Sequence, residues 1–211
     1  MKLNHKKSSA MIFNFTEKYQ FNTRLSIEDS KLEVQKKCKL LGVIITDNLR
    51  WDENTKYLVK RANARMEILR KLKSYNPPIR DLVTVYVLYV RSILEQSSNI
   101  WHSTLTNENR SDLERVQKNA CRNILQEKYS DYESALKQLK LDTLEDRREK
   151  LIIKYGIKCS KLEQTMHLFP MKTNHCTMKT RNAEKYQIRN TNTERYRNST
   201  VPYIQRKLNS Q

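Results

Sequence analysis

The chain has 211 residues, 37% of them hydrophobic, and a formal net charge of +18 from 41 Lys and Arg against 23 Asp and Glu. That hydrophobic share lies below the roughly 45–50% of ordinary globular chains, so a packed core is expected for part of the length only. Two Gly and four Pro argue against a turn-rich β-sandwich and for long helices, while the charge favours a polyanionic partner, nucleic acid or an anionic membrane surface.

The first segment, 1–50, carries 10 basic and 5 acidic side chains. Its opening residues, MKLNHKKSS, are polar and basic, with no apolar core of a signal peptide. Alternation predicts strands at Ala10–Phe15, Phe21–Ile27 and Leu32–Gln35, with a turn at Glu28-Asp29-Ser30. Leu40, Leu41, Val43, Ile44 and Ile45 read as a further strand interrupted by Gly42, a position that suggests a bulge or a close backbone approach. Thr46-Asp47-Asn48 is turn chemistry.

A long helix is expected from Asp52 or Glu53 to about Tyr75, ended by Pro77-Pro78. Val59, Ala62, Met66, Leu69 and Leu72 form its apolar stripe. Lys56, Lys60, Arg61, Arg65, Arg70 and Lys71 cover much of the remaining surface and are candidate phosphate contacts. The competing expectation is a solvated, charge-rich face. The next helix, from about Arg80 past Leu94, is apolar nearly all round, which suits the centre of a bundle. Its longest apolar run, Leu82–Val90, is too short to span a bilayer.

Thr106 or Asn107 is placed to cap a third helix, whose stripe is Leu113, Val116, Gln117, Ala120 and Ile124. A short helix follows at Tyr132–Leu139. Thr143-Leu144-Glu145-Asp146 approximates a capping box, with Asp in the place of Glu. Leu144, Arg148, Leu151, Ile152, Tyr155 and Cys159 then mark a final long helix. Beyond about Glu163 periodicity fails, and 171–199 reads as extended or disordered when unbound, with a short helix at Val201–Leu208. The expected class is therefore α+β, mainly α. A small antiparallel β region (1–50) precedes a helical bundle (51–162) and a basic, largely irregular tail (163–211).

Several stretches carry a resemblance in the same order along the chain. LNHKKSSAMIFNF, KLLGVIITDNLRW, YVRSILEQSSNIWHSTLT, DLERVQKNACRNIL, TLEDRREKL and NTERYRNSTVPYIQRKLN resemble the end of the palm, the thumb and the C-terminal ending of reverse transcriptases of jockey-like non-LTR retrotransposons. The resemblance implies that Lys7 stands at the lysine of motif D, which handles the pyrophosphate leaving group, with Ser8 replacing the usual Thr. It makes Leu41, Gly42 and Val43 primer-grip-like, and residues 51–162 thumb-like. It also implies that Met1 matches an internal methionine of a longer frame.

The family's catalytic site is a Tyr-x-Asp-Asp motif holding two metal ions. No such motif, Walker lysine or nucleophile elbow occurs in this sequence. The chain is accordingly expected to be no enzyme, to need no cofactor, and to bind DNA, RNA or a hybrid with little sequence preference. No membrane or small-molecule partner is expected. The location implied is intracellular, nuclear or cytoplasmic, with reduced thiols at Cys38, Cys121, Cys159 and Cys176. The alternatives are a free-standing basic helical module that binds RNA or protein, and a translated relic without function.

Two further groups invite functional readings. Cys159, His167, His175 and Cys176 could ligate metal, but their spacing fits no usual zinc pattern, and scattered residues are the expectation. Trp51, Trp101 and His102 could stack on bases. Beside helix boundaries, such rings serve more often as packing anchors.

Overall fold

The computed structural model describes residues 8–15, 25–27, 30–171, 185–188 and 190–210. The fold is mainly helical with small sheets, and its contacts divide it into two compact units, Met1–Leu58 and Val59–Gln211. The expected divisions after 50 and after 162 do not coincide with this one.

The first unit holds three strand pairs. β1 (Ser9–Ala10) pairs with β4 (Glu33–Val34) in parallel, while β2 (Ser26–Ile27) and β3 (Ser30–Lys31) pair antiparallel. The region is thus not purely antiparallel, and residues 11–15 form no strand. The third and best-formed pair is β5 (Lys37–Leu40) with β6 (Val43–Thr46), in the register Leu40↔Val43 and Cys38↔Ile45.

That hairpin corrects the single interrupted strand. Leu41 and Gly42 are its two-residue turn, both at positive φ, 48° and 86°. Positive φ at both central positions is the type I′ geometry, whose twist matches that of the flanking strands. Gly42 is therefore a turn residue, not a bulge. Thr46-Asp47-Asn48 does turn: Leu49 N–H donates to Thr46 O at 2.8 Å and Arg50 N–H to Asn48 Oδ1 at 2.9 Å.

α1 (Asp52–Lys73) starts with Asp52 and Glu53 and ends with Arg70, Lys71 and Lys73, charges that suit the dipole at each end. Its first turns, in the first unit, hold the hairpin. Ile44 N–H donates to Asn54 Oδ1 at 3.1 Å, and Lys39 Nζ donates to Tyr57 Oη at 2.6 Å. Lys37 pairs with Glu53 at 3.4 Å. In the second unit Ala62, Met66 and Leu69 form its buried stripe.

α2 (Ile79–Val85) follows Pro78 and continues through a π-helical stretch, Tyr86–Arg91, into α3 (Ser92–Leu94). Although apolar nearly all round, this element is not buried on every side, so it is not the fully enclosed centre of the bundle. Leu82, Tyr86, Val90, Ile93 and Leu94 are buried, whereas Leu88 is 61% exposed. The short α4 (Ser98–Trp101) leads to α5 (Asn107–Leu125), capped as expected by Thr106, whose side chain accepts from Asn109 N–H. Asp131 caps α6 (Tyr132–Leu139), and Thr143 caps α7 (Leu144–Lys161). The Asp146 carboxylate accepts from the Thr143 hydroxyl at 2.7 Å. In a capping box the longer Glu reaches the backbone N–H instead.

The described part of 163–211 is more ordered than its composition suggests. α8 (Glu194–Arg197) and α9 (Thr200–Asn209) follow the bridge Met171↔Tyr186. Ile204 joins Ile152, Cys159 and Phe169 in one apolar cluster. A Cβ at Gly156 would lie 2.2 Å from Ile204 Cγ2, so α7 and α9 meet where only Gly leaves room. Asn209 fixes the strand-like Tyr186 from both sides, its Oδ1 accepting from Tyr186 N–H at 2.8 Å and its Nδ2 donating to Tyr186 O at 3.0 Å.

Candidate functional site

The β5–β6 turn lifts one apolar side chain into solvent. Leu41 is 91% exposed, while Val43, two residues on, is 4% exposed. Of Leu41, Gly42 and Val43, which the resemblance would make primer-grip-like, the structure leaves Leu41 exposed and Gly42 partly exposed and buries Val43. A branched residue at φ 48° is strained by about 1–3 kcal/mol, and such strain clusters at functional sites.

The six candidate cations of α1 fall into two kinds. Lys56, in the first unit, is exposed, as are Lys60, Arg65 and Lys71 in the second. None of these four enters an ion pair among the described residues. Arg70, also exposed, pairs with Glu67. Arg61 is half-buried, and its Nη1 donates to Gln96 Oε1 at 3.1 Å, so it braces α1 against the residues after α3. Within the second unit, Lys60 and Lys71 lie on one side of α1 at a spacing of about 16 Å along the axis. Arg65 projects further round.

The aromatic candidates are all inside. Trp51 is 9% exposed, and Trp101 and His102 are 0% exposed. Trp101 Nε1–H donates to Gln96 O at 3.0 Å. Burial, with the positive charges of Arg148, Arg110 and Lys207, pushes His102 down to about 3, so its ring is neutral at ordinary pH. These rings are packing anchors and do not face a base.

Sequence reasoning overlooked a polar network in the second unit. Tyr86 Oη–H donates to Gln117 Oε1 at 2.6 Å, and Gln117 Nε2 donates to Tyr132 Oη and to Asp142 O, each at 2.9 Å. Tyr132 Oη–H donates to Glu114, which also accepts from Leu144 N–H at 3.2 Å. Burial and the Glu114 bond push the Tyr132 phenol up, beyond the ordinary range. A Gln inside an otherwise apolar stripe was the available signal. Beside the network lies an open cleft of about 360 Å³ lined in part by Arg110, Lys118, Tyr132 and Glu145. Its charges are mutually engaged: Arg110 pairs with Glu145, and Lys118 Nζ sits 5.2 Å from the Tyr132 ring centre.

Lys7, His175 and Cys176 lie outside the described residues. Cys159 is buried in the apolar cluster. Among the described residues no group of three or more His, Cys, Asp and Glu could hold a metal ion, and no helix is long and apolar enough to cross a membrane. No family model, curated protein or solved structure matches the chain.

Proposed function

We propose that this chain is the thumb and C-terminal part of a non-LTR retrotransposon reverse transcriptase, and that it binds primer–template nucleic acid without catalysing a reaction. It acts inside the cell, in nucleus or cytoplasm. The observation that carries the proposal is the set of exposed cations on α1 that enter no ion pair among the described residues, above all Lys60, Arg65 and Lys71. The ordered series of resembling stretches supports the same assignment. The cations would contact phosphates, which position a nucleic acid but carry no sequence information.

The test is the salt dependence of binding. Each phosphate neutralised contributes roughly −0.9 to the slope of log affinity against log salt on a duplex, and roughly −0.7 on a single strand. Replacing Lys60, Arg65 and Lys71 together with Gln is expected to flatten the slope by about 2 to 3, equally on unrelated sequences. A triple variant with the slope of the parent chain would refute the assignment.

A further inference from the structure

α7 turns one face to solvent. Leu151, Tyr155 and Leu162 on it are 37%, 42% and 42% exposed. With Lys158 between the last two, they stand at i, i+4, i+7 and i+11, the spacing of a single helix face. Lys154, Lys158 and Lys161, all exposed, run beside them at i, i+4 and i+7. The other sides of α7 pack against α4, α5 and α9. Leu151 and Leu162 lie about 16 Å apart along the axis, three turns of helix.

The charge on this face is one-sided. No Asp or Glu occurs from Lys150 to Leu162. Among the described residues none of the three lysines enters an ion pair. Lys158 and Lys161 stand in the last turn, where the helix dipole favours cations. Lys154 lies a turn earlier, so the dipole does not account for it. Single exposed apolar residues are ordinary, whereas a contiguous apolar row rimmed by polar groups marks an interaction site.

We propose that this face docks an acidic amphipathic helix of another protein. The partner's apolar side lies along Leu151, Tyr155 and Leu162, and its Asp or Glu residues meet Lys154, Lys158 and Lys161. Charge complementarity selects this occupant. A second copy, at a net charge of +18, is repelled. Segment 172–184 of the chain itself is also basic, with three Lys and Arg against one Glu. Nucleic acid would use the lysines but leave Leu151 and Leu162 without a role, since phosphate contacts are polar. A bilayer takes up an apolar helix face by burying it about 5–10 Å deep, whereas these three side chains are more than half covered by their own unit. A helix suits both rows, because side chains three and four residues apart form the ridges and grooves that packed helices interlock. The cations of α1 take no part, and the docking is independent of the nucleic-acid assignment.

The probe is a fluorescein-labelled peptide of about 20 residues, long enough to form a helix, with Leu at i, i+4, i+7 and i+11 and Glu at the flanking positions. Its anisotropy is followed against the full chain. Saturable binding is expected, with a scrambled peptide of the same composition binding at least about tenfold more weakly. Lys154→Glu combined with Lys158→Glu, both on the exposed face and so compatible with folding, is expected to weaken the patterned peptide by a similar factor. A peptide with Lys in place of Glu should regain binding to that variant. Leu162→Asn should weaken the patterned peptide as well. Replacing Lys60, Arg65 and Lys71 with Gln should leave peptide binding unchanged, whatever it does to nucleic acid. Absence of saturable binding, or equal binding of the scrambled peptide, would overturn the proposal. So would phosphatidylserine vesicles or duplex DNA that the α7 double variant no longer holds, while parent and variant hold the peptide equally.

Discussion

The Tyr86 hydroxyl donates to Gln117 Oε1 at 2.6 Å, and both side chains are 0% exposed. This bond locks the π-helical stretch to α5, and Gln117 then passes the connection to Tyr132 and to Asp142 O. Every polar atom of the Gln117 amide is thereby used. Tyr86→Phe would leave the buried carbonyl oxygen without its donor, at a cost of about 1–3 kcal/mol. Urea denaturation is expected to show a lower midpoint with an unchanged slope.

Leu88 tests the facing of the same element. It is 61% exposed, so Leu88→Asp is expected to change stability by no more than about 0.5 kcal/mol. Tyr86→Asp is expected to unfold the second unit, because a buried unpaired charge costs several kcal/mol, comparable with a domain's stability of about 5–15 kcal/mol. Equal effects of the two substitutions, followed by circular dichroism, would mean that this helix does not bury the face described.

Gly156 should break the usual rule for glycine in helices. Gly→Ala in a helix interior ordinarily stabilises by about 0.5–1 kcal/mol. At this position the new Cβ would meet Ile204 Cγ2 at 2.2 Å, close to that side chain's own backbone attachment. Gly156→Ala is therefore expected to destabilise the packing of α9 on α7. In an Ile204→Ala background the same change should become neutral or stabilising, a reversal that a double-mutant cycle measures.

At the hairpin tip, stability and binding are expected to move in opposite directions. Asn tolerates positive φ far better than Leu, so Leu41→Asn should raise stability, by about 1 kcal/mol. If the exposed Leu41 side chain touches the nucleic acid, the same variant should bind more weakly. A variant that is both more stable and an equal binder would remove Leu41 from the contact surface.

His102 predicts an acid sensitivity. Its folded value of about 3 lies below the roughly 6.5 of an unfolded histidine. Between those values the unfolded state holds more protons, so stability rises with pH. The contribution is fully present above about pH 6.5 and is lost as pH falls towards 3. Between pH 7 and pH 5 the loss is on the order of 2 kcal/mol, measurable as a lower urea midpoint. His102→Gln should lose most of that difference.

The helices were legible because amphipathic spacing and capping residues act locally. Thr106 and Thr143 cap where the sequence places them, and Asp131, which the sequence reading did not single out, caps the short helix after it. Gly42 was misread because a strand with a bulge and two strands joined by a two-residue turn share one pattern of apolar residues. Only the positive φ of Leu41 separates them, and Leu is an unusual residue there. Leu88 looked central because its neighbours in sequence are apolar, yet which side of such a helix is covered depends on the helices packed against it. Gln117 sits on the expected stripe, but its partners lie far away in sequence and leave no local trace. The basic surface of α1 was visible from composition, whereas the bond that takes Arg61 out of it to Gln96 was not.

The seat of Ile204 against Gly156 also orders events during synthesis. Everything from α5 to α7 is translated before α9, so a nascent chain carries the uncovered Ile152 and Cys159 face of α7 until residue 209 has emerged. Exposed apolar surface of that kind is what aggregation and chaperones act on. Ribosome-bound chains stalled just short of α9 should therefore engage a chaperone, and chains with a linker appended after residue 211, long enough for α9 to clear the ribosome, should release.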